Sequence, residues 1–278
     1  MKKYLLIIIM FLIVGCHGMF FHPDKNLYYN PEICQQQPKN YEIDSSDNTT
    51  LHAWLFRTNH KEPKGTIIFM HGNSRNMTTE SLGMLWVLEK GYNLFTFDYR
   101  GYGVSTGKPS IKGVMEDGVE ALDGFMQIKD LDKSNIIIWG QSLGGAVASY
   151  TAANSPHADK VKLLVMDSTF TSWRDIAKDY AASIFITWPF QYPISWSFPD
   201  DTSSKNYLPV SKIKNTLIIH SKADTLIKYS HGEKLYEVAN EPKKIILFDY
   251  AKHARILLNP TNIPVIIDYI DKVVTSKE

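Results

Sequence analysis

Six short runs, at residues 66–70, 92–97, 136–139, 162–166, 216–220 and 244–248, recur along this chain with turn residues after them. A strand that faces water on one side alternates apolar and polar residues with a period of two. The runs TIIFM and IIIW do not alternate; they are apolar on both faces. Strands of that kind must be covered on both sides, and the covers lie between them. Residues 78–90 carry Leu82, Leu85 and Leu88 at helical spacing before Gly91, and residues 110–129 carry Ile111, Val114, Ala121, Leu122 and Phe125 behind Ser110 as an N-cap. This alternation predicts an α/β fold, a mostly parallel sheet with helices on both faces. Ahead of it, YEIDSSDNTTLHAWLFRT predicts a hairpin turning at Ser45-Ser46-Asp47-Asn48.

In such a sheet the chemistry collects where loops leave the carboxyl ends of the strands. In chain order those ends carry His71-Gly72-Asn73, then Asp98 to Gly103, then Gly140-Gln141-Ser142, then Asp167, then Asp224, then Asp249 with His253 four residues on. Gly140, Ser142 and Gly144 have the G-x-S-x-G spacing, placed where an apolar strand gives way to a helix. So sharp a turn strains its apex residue and leaves no room for a Cβ at the flanking positions. The apex side chain is pushed out above the sheet edge. A serine there becomes a nucleophile when a neutral imidazole takes its proton and a carboxylate holds that imidazole in one tautomer. His253 is the only histidine in its loop; Asp224 and Asp167 compete as the acid. His220 ends an apolar strand and reads as a packed, hydrogen-bonded residue. Asp98 and Arg100 read as structuring their own loop.

The three motifs HGN (71–73), DYRGYG with Ser105 and Gly107 (98–107), and GQSLGG (140–145) occur in that order, and on them the chain resembles the α/β-hydrolase serine hydrolases from about Tyr41 to its end. The resemblance implies Ser142 as nucleophile, Asp224 as acid and His253 as base. It also implies an oxyanion hole made by the backbone N–H groups of Asn73 and Leu143. No cofactor and no metal are expected.

The N-terminus belongs to a different problem. Lys2-Lys3 precede an apolar run from Tyr4 to Val14, shorter than the roughly 20 residues a membrane-spanning helix requires. That is the pattern of an export signal. It closes on Ile13-Val14-Gly15-Cys16, which resembles a bacterial lipobox and marks Cys16 for lipidation. Residues 1–16 are therefore expected to be a lipoprotein signal peptide, 17–40 a tether, and 41–278 the hydrolase domain of an exported, membrane-anchored monomer. With lipidated Cys16 removed from the count, Cys34 stands alone and no internal disulfide framework is possible. Thirty Lys+Arg against 29 Asp+Glu leave no basic field for nucleic acid.

An aromatic-rich cover segment spans about 172–212, and its prolines at 189, 193 and 199 forbid a long helix. Because buried aromatics are mostly core, the expectation is that these rings pack a short helix and loop onto the domain. The other reading makes Trp188 and Trp196 an apolar wall for an acyl chain. The function expected is hydrolysis of carboxylic esters or thioesters, on a small-molecule or lipid substrate, through an acyl-enzyme. Peptidase or amidase chemistry on the same three residues is the alternative, and a non-catalytic surface lipoprotein is the reading from another class.

Overall fold

A computed structural model describes residues 20–28, 36–45 and 47–276. The expected signal segment with Cys16, and Cys34, lie outside the described residues. The sheet is built from Lys39–Asp44 (β1), Thr50–Phe56 (β2), Gly65–Met70 (β3), Tyr92–Phe97 (β4), Ile136–Gln141 (β5), Val161–Asp167 (β6), Asn215–Ser221 (β7) and Lys243–Phe248 (β8). Their spatial order is β1-β2-β4-β3-β5-β6-β7-β8. β1 and β2 form the expected hairpin, and β2 pairs antiparallel with β4; every other pairing is parallel.

The double-sided apolar runs do what their pattern requires. In β5, Ile136 and Ile138 enter the core on one face while Ile137 and Trp139 enter the core on the other. The first face is closed by helices α1 (Ile111–Gln127) and α2 (Leu143–Asn154), through Val114, Leu122, Phe125 and Val147. The second is closed by the C-terminal helix 263–275, through Ile266 and Ile270, together with Val87 and Leu88. Ser110 caps α1 by accepting from the Gly113 N–H at 3.1 Å. The helix expected over 78–90 is broken instead into Met77–Glu80, a 3-10 turn Ser81–Met84 and Trp86–Glu89. Leu82 points to solvent, so the leucine spacing there did not describe one buried face.

Two further departures matter for function. Residues 20–28, expected to be tether, are docked on the domain: Phe21 is buried, and His22–Pro23 pairs with Ser74–Arg75 as a short parallel ribbon. The Phe20 ring packs edge-on against Trp173 at 5.2 Å and Phe198 at 6.3 Å. In the cover segment, helix α3 (Trp173–Ser183) buries Trp173 and Ile176, but Trp188 and Trp196 are exposed rather than packed as core. The rings sit on a 3-10 turn and a six-residue helix, Gln191–Trp196, too short to turn every aromatic inward.

Candidate active site

Strand order decides where the site lies. From β3 the chain steps to β4 on one side and later returns to place β5 on the other, so β3 and β5 flank the point where the order reverses. In open sheets of this kind ligands bind outside the carboxyl ends of the strands at that point. The loops leaving those ends are His71-Gly72-Asn73 after β3 and Ser142 after β5.

Ser142 has φ 54° and ψ −115°, a conformation strained for any residue with a Cβ. Its surroundings hold it there. The Ser142 N–H donates to the Asp167 carbonyl at 2.8 Å, and the Thr169 hydroxyl donates to the Ser142 carbonyl at 2.6 Å. Two bare backbones make the turn possible: a Cβ on Gly144 would stand 1.9 Å from the Met70 carbonyl oxygen, and one on Gly140 would stand 2.2 Å from that of Gly144. Neither clash is with a side chain that can swing away. Gly144→Ala is therefore expected to lower the unfolding free energy by about 3 kcal/mol, read by urea denaturation, because backbone must move to admit the methyl.

The Ser142 hydroxyl lies 3.0 Å from His253 Nε2, and His253 Nδ1 lies 2.7 Å from Asp224 Oδ2. With Nδ1–H donating to the carboxylate, Nε2 is left to accept the hydroxyl proton. Asp224 is fixed in turn, since its Oδ1 accepts from the N–H groups of Leu226 and Ile227, each at 2.9 Å. Burial pushes the Asp224 carboxyl up, but the flanking His220 and His253 and the Ile227 N–H outweigh it and hold the group well below the usual carboxylate range. The residue is charged at neutral pH.

Asp167, the competing acid, takes no part in this chain. Its carboxylate accepts from Gln141 Nε2 at 3.0 Å and from the Ser168 hydroxyl at 2.8 Å, and burial raises its pKa. What Asp167 gives the site is the backbone carbonyl that fixes Ser142. His220 is fully buried, with Nε2 2.8 Å from the Ile227 carbonyl and 3.6 Å from Asp224 Oδ2. It packs behind the carboxylate rather than in front of the serine.

The two residues expected to form an oxyanion hole lie on the segments next to the serine. Leu143 opens α2, so its N–H is among the first-turn donors that lack an intrahelical acceptor. The 72–73 segment runs past the serine, the Cβ direction of Gly72 ending 3.8 Å from Ser142 Cβ. Sequence reasoning missed what holds Asn73: the Tyr102 hydroxyl contacts the Asn73 carbonyl at 3.0 Å and its Oδ1 at 2.8 Å, and Asn73 Nδ2 donates to the Phe20 carbonyl at 2.6 Å. Tyr99 donates to the His71 carbonyl at 2.9 Å, and Asp98 accepts from the Met77 N–H at 2.7 Å. The 98–107 motif is thus a scaffold under the Asn73 loop. Arg100 does not pair with Asp98; it reaches Asp117 on α1, Nε to Oδ1 at 2.9 Å, and Asp47 on the hairpin at 2.6 Å. Burial pushes Asp117 up to about 6 despite the guanidinium beside it.

Residues 65–193 match the alpha/beta hydrolase fold family. The protein YfhR of Salmonella typhi is 34% identical over 263 residues, covering 88% of this chain and 86% of that one. The chain belongs to the α/β-hydrolase family. YfhR of Escherichia coli strain K12 is 31% identical over 240 residues, or 85% of this chain and 79% of that one. Lysophosphatidylserine lipase ABHD12 of Bos taurus is 31% identical over 182 residues, 62% of this chain and 45% of that one. Among solved structures, an esterase of Pyrococcus furiosus superposes with a TM-score of 0.73 at 23% identity, covering 91% of this chain and 97% of that one. Family membership supports hydrolase activity. Among the described residues no group of three His, Cys, Asp or Glu side chains is placed to hold a metal ion.

Proposed function

We propose that this chain is a serine hydrolase that cleaves carboxylic esters or thioesters through a covalent acyl-enzyme. The observation that carries the reading is the continuous chain from Ser142 Oγ through His253 to Asp224, at 3.0 and 2.7 Å. Spacings of about 2.6–3.2 Å suit proton transfer between a hydroxyl and its base. Ser142 Oγ attacks the acyl carbon as its proton passes to His253 Nε2. The carbonyl oxygen becomes an oxyanion and accepts from the N–H groups of Leu143 and Asn73; each such donor is typically worth about 3–4 kcal/mol to the transition state. The intermediate collapses, the acyl–oxygen or acyl–sulfur bond breaks, and the leaving alkoxide or thiolate takes the proton from His253. Water then enters, gives a proton to His253 and attacks the acyl carbon; collapse frees the acid and returns the proton to Ser142. Asp224 stays ionised throughout and stabilises the imidazolium.

Rapid mixing with p-nitrophenyl acetate tests this directly, with release of p-nitrophenol expected as a burst of one equivalent per enzyme followed by slower turnover. Cleavage of a peptide anilide with no turnover of esters or thioesters would replace the reading with an amidase.

The N-terminal sequence supports a companion proposal, that the protein is exported and lipidated at Cys16. Expressed in a bacterium, the protein should incorporate labelled palmitate and sediment with membranes, and Cys16→Ser should abolish the label. Wild-type protein recovered unlabelled from the soluble fraction would refute it.

A further inference from the structure

Between Asp179 and Asp200 the chain carries no charged residue, yet the fold leaves much of this stretch in solvent. Phe185 is 93% exposed, Ile186 80%, Trp196 68% and Trp188 58%. Phe190 and Tyr192, between the two tryptophans, are half exposed. Apolar side chains gathered at this density on a surface mark a site of contact with a partner or a membrane. Trp and Tyr mixed with Phe and Ile is the composition found at the boundary of lipid headgroups and acyl chains. The acidic residues at either end are turned to cations of the domain: Asp179 faces Lys228 at 3.4 Å, and Asp200 faces Lys205 at 3.0 Å. One cation reaches the face from α3: the Lys178 ammonium lies 4.9 Å from the centre of the Tyr192 ring, the place of a lysine at a headgroup boundary.

The N-terminus says what covers it. The described chain begins at Phe20, whose ring rests on Trp173, the first residue of α3, and on Phe198, two residues beyond Trp196. Cys16 precedes Phe20 by four residues, a reach of at most about 14 Å. α3, along which the cover segment is laid, is itself only about 16 Å long. A lipid on Cys16 is therefore tied within about 14 Å of Phe20, which packs on Trp173 and Phe198 at the two ends of the cover segment that carries the exposed rings. Phe20 also accepts from Asn73 Nδ2, so the anchored edge adjoins the loop beside Ser142.

We infer that residues 184–196 are a membrane-docking surface, pressed into the bilayer interface by the anchor at Cys16, with the Ser142 opening bordering the lipid. The inference rests on the lipidation proposed for Cys16 and is independent of the chemistry at Ser142. Two signals acting together also fit the energetics: acyl chains tether, and an apolar face adds affinity and fixes orientation.

The test uses full-length lipidated protein in vesicles of phosphatidylcholine and phosphatidylglycerol, half of them carrying acyl chains brominated near the headgroup. Bromine quenches tryptophan only on contact, so fluorescence is expected to fall in the brominated vesicles. Trp188→Phe and Trp196→Phe should each remove part of that fall. Phe185→Ser with Ile186→Ser should abolish it while the protein stays in the vesicle pellet and hydrolyses dissolved p-nitrophenyl acetate at the wild-type rate. Protein that pellets with vesicles but is not quenched would overturn the docking and leave the anchor standing. An unquenched protein that sediments as a dimer would assign the face to a second copy instead. Wild-type protein absent from the vesicle pellet would overturn anchor and docking together, while ester hydrolysis reports separately on the site.

Discussion

Ser142→Ala is expected to lower kcat for p-nitrophenyl acetate by about 10⁶-fold, the size of loss when the nucleophile of another triad enzyme is removed. The reason is that neither remaining member of the chain can form the acyl-enzyme, so the histidine and carboxylate alone retain almost none of the rate. What survives is the modest catalysis of oriented amides and bound water. Folding should be little affected: Ser142 is held through its backbone, by the Asp167 carbonyl and the Thr169 hydroxyl, and both contacts persist in alanine. Equal thermal midpoints with unequal rates, measured on one preparation, separate chemistry from stability.

Asp224→Asn is the second large effect, expected at about 10⁴-fold in kcat, because an amide facing His253 Nδ1 favours the tautomer whose Nε2 carries a hydrogen and cannot accept the serine proton. The backbone donors of Leu226 and Ile227 keep the asparagine in place, so geometry is retained while the tautomer changes. Asp167→Asn supplies the contrast. Its carboxylate faces Gln141 and Ser168, not His253, so kcat should change by less than about tenfold while stability falls by about 1–3 kcal/mol as a buried hydrogen-bond set is disturbed. The reverse ranking would move the acid to Asp167.

The central strands were legible because they are buried on both faces, and an unbroken apolar run of four to seven residues bounded by turn residues suits such a strand. The Gly72-Asn73 segment and Ser142 were candidates for one site because both follow apolar strands at their carboxyl ends and because of the family resemblance; the strand order that sets β3 and β5 side by side was not legible in the sequence. Chain order left two acids open, since Asp167 and Asp224 each follow an apolar strand; only side-chain direction distinguishes them. The partner of Arg100 was missed although a signal existed: Asp117 lies three residues beyond Val114, a charge on the apolar stripe of α1, where burial demands a counter-charge. Tyr102 as the support of Asn73 had no such signal, because its hydroxyl finds its acceptor across 29 residues of chain. The cover segment misled for the opposite reason. Aromatic composition states that rings need an apolar neighbour, not whether that neighbour is the protein's own core, and at Phe185 and Trp196 it is not. Likewise Phe20 and Phe21, which fall in the stretch expected to be a tether, are what fastens the chain's entry to Trp173.

The central claim is that Ser142 forms the bond to the acyl group. Exposure of the protein to a fluorophosphonate, followed by digestion and mass spectrometry, tests it most directly, because the reagent captures an activated serine and the mass locates it. One adduct is expected, on the peptide bearing Gly140-Gln141-Ser142, absent from Ser142→Ala and slowed by orders of magnitude in Asp224→Asn. An adduct on any other residue, or undiminished labelling of Ser142→Ala, would contradict it.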